Sequence, residues 1–220
     1  MIWGEPVAVW KGWLIISDIH LGSRGSPGYL ATAEVIRGIM HSEQKKKLLM
    51  LGDIKAGYTG TEPEAGKLIR ALGKEFDLHI TKGNHDGNLE KYSAYCTVYG
   101  PGGGIFDGLG ALHGHAWPAE ELLRCGTIIM GHSHPKMVFG KEFKYAEKVW
   151  VVGKLSTGGL RGHYGERARI RKGIGAVLMP SFCAGPPYGS GEDTLGPLMR
   201  EDIFIRKSAR IYLLNGIRIK

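Results

Sequence analysis

A chain of 220 residues, 43% hydrophobic and 23% charged, has ordinary globular composition and enough length to bury a sizeable core. Its three cysteines, Cys96, Cys125 and Cys183, are odd in number and far apart, which excludes a disulfide framework and points to reduced thiols in a cytoplasmic protein. A net charge of +8 suits anionic partners such as phosphorylated substrates, nucleic acid or acidic surfaces, although plain solubility accounts for it equally well.

The opening residues, Met1-Ile2-Trp3-Gly4-Glu5, have neither the basic start nor the apolar run of a signal peptide. No stretch approaches the about 18 apolar residues that a membrane-spanning helix needs. The first strong apolar run, Trp13-Leu14-Ile15-Ile16, predicts a buried strand that empties into Ser17-Asp18-Ile19-His20-Leu21-Gly22. Residues 31–46 place Ala33, Val35, Ile36, Ile39 and Met40 on one helical stripe. The stripe closes on Lys45-Lys46-Lys47, cations that suit the carboxyl end of a helix. A second strand, Leu48 to Leu51, ends in Gly52-Asp53. A second helix is expected over 62–76, with Thr61 as N-cap, Pro63 in the first turn, and Leu68, Ile69, Leu72 and Phe76 on its inner face.

A third strand, Leu78 to Lys82, ends in Gly83-Asn84-His85-Asp86, and a fourth, Leu109 to Leu112, in His113-Gly114-His115. Pro118 to Arg124 predicts a shorter helix. The fifth strand, Thr127 to Met130, ends in Gly131-His132-Ser133-His134. Strands alternating with helices imply a mostly parallel sheet. After about residue 140 the pattern changes. Val149 to Val152, Ala176 to Met179, Ile203 to Ile205 and Ile211 to Leu214 are expected to be strands joined by turns rather than helices. Asn215-Gly216 is a tight-turn signal for antiparallel pairing. With no linker and no repeat, residues 1–220 are expected to form one α/β domain with two sheets.

Five strands in succession thus end in Asp, Asn or His beside glycine. Ligands of α/β sheets gather beyond the carboxyl ends of strands, so Asp18, His20, Asp53, Asn84, His85, His113, His115, His132 and His134 are expected to converge. Six of the nine histidines of the chain belong to this set. Carboxylate, imidazole and amide without cysteine form a ligand set for borderline-hard divalent metals. The donors are too many for one ion but suit two ions about 3.5–4 Å apart, bridged by a carboxylate. Asp53 is assigned the bridge as the only ligand on its strand tip. Singly, each motif reads as an ordinary turn; jointly, in this order and each at a strand end, they leave that reading little room.

The series Asp18-Ile-His20, Gly52-Asp53, Gly83-Asn84-His85-Asp86, His113-Gly114-His115 and Gly131-His132-Ser133-His134 resembles the calcineurin-like metallophosphoesterase superfamily. Within it, the chain is most similar to the small phosphodiesterases associated with bacterial DNA ligase and helicase genes and to their archaeal relatives. That narrower likeness rests on Gly4-Glu5-Pro6, Asp18 to Gly22, Met179-Pro180-Ser181-Phe182 and Leu213 to Gly216, with Ser23 standing where such relatives often carry lysine. The resemblance implies a four-layer α/β/β/α sandwich with two mixed β-sheets. It implies one metal on Asp18, His20, Asp53 and His134 and a second on Asp53, Asn84, His113 and His132, with His115 beside them or exchanging roles with His113. The ions would be manganese first, with iron, zinc, cobalt or nickel as alternatives. His85 becomes the catalytic acid, Asp86 holds its imidazole, and a hydroxide bridging the ions attacks phosphorus in line.

Arg161 to Lys172 carries five cations among glycines, including Arg161 and Arg167. It reads equally as a lip gripping substrate phosphate and as a solvated edge. The glycine-rich stretch 100–104 lacks the Lys-Ser/Thr ending of a phosphate loop and reads as a turn; 185–189 reads as a loop whose Tyr188 could line the cleft. Three functions follow: a phosphodiesterase acting on nucleotides or small diesters, a DNA or RNA nuclease, and an inactive scaffold, the last disfavoured because every ligand position is filled. The sequence leaves the oligomeric state open, a homodimer included.

Overall fold

Two β-sheets packed face to face form the centre of the computed structural model, which describes residues 1–2, 4–23, 27–57, 63–140, 143–182, 196–200 and 202–219. The first sheet begins with a hairpin of β1 (Ala8–Trp10) and β2 (Trp13–Ile16). Helix α1 (Tyr29–Ser42) crosses over to β3 (Lys47–Met50), and α2 (Pro63–Gly73) crosses to β4 (Asp77–Thr81). β5 (Thr97–Tyr99) completes the order β1-β2-β3-β4-β5, parallel from β2 onward.

The second sheet uses β6 (Gly104–Phe106), β7 (Leu109–Leu112), β8 (Thr127–Met130), β9 (Lys136–Phe139) and β10 (Tyr145–Lys154). After helix α3 (Thr157–Tyr164) come β11 (Gly175–Leu178) and β12 (Arg210–Leu213). Its order is β12-β10-β11-β8-β7-β6, with β9 paired to the outer half of β10. The β7, β8 and β11 strands run parallel; the others are antiparallel. Both sheets are therefore mixed.

Side-chain alternation explains why the apolar runs are continuous. In β2, Leu14 and Ile16 face α1 and α2, while Trp13 and Ile15 face the second sheet. β3 divides Leu48 and Met50 from Leu49 in the same way, and β8 divides Ile128 and Met130 from Ile129. A strand covered on both faces needs hydrophobic residues at every position, not at every second one. Three apolar layers result: helices on sheet, sheet on sheet with Trp150 fully enclosed, and sheet on α3. The architecture is the four-layer sandwich.

Several expectations need correction. α1 stops at Ser42 because Gln44 takes the left-handed conformation (φ 51°), so Lys45 and Lys46 lie beyond the helix and Lys47 starts β3. Val35 faces solvent rather than the core. Residues 120–124 form a 3-10 turn rather than an α-helix. Ile203 to Ile205 contribute a single bridge, Leu155 to Phe204, and no strand. Between β10 and β11, where a turn rather than a helix is expected, the chain forms α3. Thr61, Cys183 and the loop 185–189 lie outside the described residues.

Candidate metal centre

All five expected loops meet at one edge of the sandwich. The β2 loop delivers Asp18 and His20, β3 Asp53, β4 Asn84 and His85, β7 His113 and His115, and β8 His132 and His134. The two sheets are tied together there: the His132 backbone N–H donates to both Asp18 carboxylate oxygens, at 3.2 and 3.1 Å.

One oxygen lies at the middle. Asp53 Oδ2 is 3.7 Å from His20 Nε2, 3.8 Å from His85 Nε2 and 3.4 Å from His113 Nε2. Asn84 Oδ1 lies 3.2 Å from the same His113 nitrogen. On the Asp18 side, His134 Nε2 is 3.0 Å from Asp18 Oδ1 and 3.2 Å from His20 Nε2. Two imidazole nitrogens facing each other at that distance repel unless a proton or a cation lies between them. Among the described residues, three trios have potential ligand atoms within 4.8 Å of one another: Asp18, His20, His134; His20, Asp53, His85; and Asp53, His113, His132. Carboxylates and imidazoles in overlapping trios suit divalent cations.

The backbone is bent to achieve this. Asp18 (φ 58°), His20 (φ 49°), Asp53 (φ 50°), His132 (φ 64°) and His134 (φ 39°) all adopt the left-handed region, sparsely populated by residues other than glycine. Two glycines leave the space that the ligands fill. A Cβ on Gly131 would land on Ser17 Oγ, and one on Gly83 would run into the Asp53 carboxylate. The Gly-His and Gly-Asn-His spellings of the sequence follow from these approaches.

Three of the candidate ligands, His113, Asp53 and Asp18, are oriented by a second group. His113 Nδ1 donates to the Leu51 carbonyl at 2.7 Å, turning Nε2 inward. Asp53 Oδ1 accepts the His85 backbone N–H at 3.0 Å. Ser17 Oγ donates to Asp18 Oδ2 at 2.5 Å. Burial disfavours ionised Asp18, but hydrogen bonding and charge from His134, with His113 and Ser17, outweigh it and hold the carboxyl below its ordinary range. Burial also opposes the charge of Asp53, and bonding to His113 overrides it, lowering that carboxyl too. His113 answers in kind. Against the effect of its burial, Asp53 and Asp18 raise its imidazole to about 9. His115 and His132 are pushed down to about 4, by burial first and the neighbouring His113 charge second.

The structure places the remaining expected residues as follows. His115 stands against His113 and His132, with ring centroids 5.2 and 6.0 Å away, outside the three trios, and its buried Nδ1 has no partner. His85 Nδ1 donates to the Ala56 carbonyl at 2.6 Å, which leaves Nε2 facing Asp53. Asp86 does not clamp this imidazole as expected. It is fully buried and accepts backbone N–H groups of Ile54, Lys55 and Gly83 at 3.0, 3.3 and 3.0 Å, so it shapes the loop instead. Arg161 and Arg167 are exposed; Arg161 lies 3.8 Å from Glu166, and neither touches the ligand cluster among the described residues. Two further buried residues carry no motif that marks them: Ser17, whose Oγ donates to Asp18, and Lys55, which is 3% exposed and donates to the Gly87 carbonyl at 2.8 Å.

A sequence model described as calcineurin-like phosphoesterase matches residues 13–150. Among solved structures, the nuclease MPE of Pseudomonas putida shares the fold with a TM-score of 0.57 at 18% identity, over 92% of this chain and 84% of that one. The E. coli phosphoesterase YfcE gives 0.45 at 15% identity over 94% and 96% of the two chains. An archaeal phosphodiesterase gives 0.37 at 17% over 58% and 76%. No curated protein matches the chain.

Proposed function

The chain belongs to the calcineurin-like phosphoesterase family, metal-dependent phosphoesterases, and from that premise we propose that it hydrolyses phosphodiesters of nucleotide type. The observation that carries the reading is Asp53 Oδ2, reached within 3.8 Å by imidazole nitrogens from three other strand ends. Asp18, His20, Asp53 and His134 would hold one divalent ion; Asp53, Asn84, His113 and His132 would hold another, with Asp53 shared and manganese as the preferred metal. Such ions, when bound, acidify water and neutralise charge building on phosphate oxygens.

The protein's own groups divide the remaining work. Ser17, the Leu51 carbonyl and the His132 backbone N–H fix ligand orientation. His85, held through Nδ1 by Ala56, presents Nε2 to the substrate side, and in its protonated form that atom donates to the departing alkoxide. Asp86 keeps the loop under His85 in place. Buried Cys96 and Cys125 are free thiols, as suits a cytoplasmic setting, and no helix of the described residues is long and apolar enough to cross a membrane.

The test is a substrate panel on metal-stripped protein with manganese restored: a nitrophenyl monoester, bis(nitrophenyl) phosphate, cyclic nucleotides and single-stranded DNA. Diester turnover that requires metal is the expected result; none on any substrate would leave only a scaffold. In His85→Ala, turnover of esters with poor leaving groups should fall by about 10²–10⁴-fold, and nitrophenyl esters should suffer far less. Equal losses would remove the acid role.

A further inference from the structure

Trp117 lies two residues past His115, on the loop that leaves β7. His163, in the last turn of α3, stacks on its indole with centroids 3.5 Å apart and planes 5° from parallel. Tyr164 meets both rings edge-on, at 5.8 Å to Trp117 and 4.7 Å to His163. Its hydroxyl donates to the Pro118 carbonyl at 2.5 Å, which fixes α3 against the Trp117 loop. The Arg200 guanidinium carbon lies 5.8 Å from the centre of the indole. Three segments distant in sequence therefore converge on two rings.

This cluster adjoins the metal loops. Arg200 follows Gly196, whose backbone is so close to the Gly114 carbonyl that a Cβ there would collide with it, 3.5 Å from His132 Cδ2. His115, two residues before Trp117, packs against His113 and His132 and has an unpartnered buried Nδ1. Trp117 and Tyr164 rest on the second-sheet core, which accounts for their presence, but packing does not account for His163. Its imidazole covers the indole from the outside while remaining exposed, and exposed Arg161, Arg167, Arg169 and Arg200 lie on the segments around it. Flat parallel rings beside cations match an unpaired base followed by its phosphates: any base stacks, and the cations follow the backbone.

We propose that the Trp117–His163 stack is a base-stacking subsite that seats a nucleotide of a single-stranded nucleic acid beside the phosphodiester to be cut, with Arg161 and Arg200 toward the flanking phosphates. This rests on the phosphodiesterase reading and narrows its substrate class. Duplex ends offer no unpaired base to the stack, so they gain only the salt-dependent attraction of the cations.

Binding to metal-stripped protein, read by fluorescence anisotropy, judges the subsite apart from catalysis. The probes are a labelled oligothymidylate and an abasic chain of equal length and charge. The thymidylate should bind roughly 10-fold more tightly; His163→Ala should bring the two together, and His163→Tyr should restore the difference. Equal affinity of the unsubstituted protein for both probes, or a preference that survives His163→Ala, overturns the subsite. Should the protein show base preference but no manganese-dependent diester turnover, the functional reading fails instead.

Discussion

Leu51 and Asp53 are two residues apart and almost equally buried, at 0% and 2% exposure, yet they belong to opposite kinds of environment. Leu51 sits in the apolar layer between the sheets with Ile15, Leu49 and Trp150, where each fully buried side chain stabilises by about 1.5–3 kcal/mol. Asp53 lies in the loop layer, ionised though buried, in left-handed backbone and among imidazoles. A left-handed conformation costs about 1–2 kcal/mol per residue, and five of the candidate ligand residues share it. The contrast teaches that the sandwich interior stabilises the fold while its rim spends part of that stability to hold charges in place. Substitutions in the two layers should therefore fail differently.

The largest effect is expected at the rim. Asp53→Asn keeps the shape and the hydrogen bond from the His85 backbone but removes the shared charge, so turnover should drop by at least about 10³-fold, while the melting temperature moves little. Retention of turnover within tenfold in steady-state assays would break the contrast. Next comes the interior. Leu49→Ala leaves a cavity between the sheets and should cost about 2–5 kcal/mol, lowering the melting temperature by on the order of 10 °C, with kcat of the folded protein preserved. A calorimetric scan and an assay well below the transition separate the two quantities.

The smallest effect concerns protons. In the metal-free protein His113 stays protonated up to about 9, and a cation can bind it only after displacing that proton. As pH falls below about 9, manganese affinity should weaken by about tenfold per unit for the single proton carried by His113. His115 and His132, held down to about 4, are already neutral near pH 7 and add nothing to the slope. Titration calorimetry in two buffers of different ionisation enthalpy should register the released proton; pH-independent binding between 6 and 8 would show that Asp53 and His113 are not paired as drawn.

What could be read in advance follows the same division. The β2, β3, β4, β7 and β8 strands are continuous apolar runs bounded by glycine, and their tips carry the nine clustered residues. Short edge strands β1, β5, β6 and β9 left no comparable trace, because three or four residues exposed on one side carry little pattern. α3 escaped because three of its eight residues are glycine. It forms through the Ser156 cap, whose Oγ accepts from the Gly159 N–H at 3.1 Å, and through burial of Leu160. Asp86 and Lys55 show the other limit. Neighbours in sequence can point in opposite directions, and no spacing rule says which way a loop carboxylate turns.

The bond from His132 to Asp18 spans 114 positions of chain. On a translating ribosome the amino-terminal sheet has emerged long before the last proposed ligand, His134, is even made, so the proposed cation site is incomplete during most of synthesis. Metal uptake by the proposed site would thereby follow docking of the second sheet. A nascent chain stalled short of the β8 loop should bind manganese poorly, and acquisition of the ion serves as a timestamp for the end of assembly.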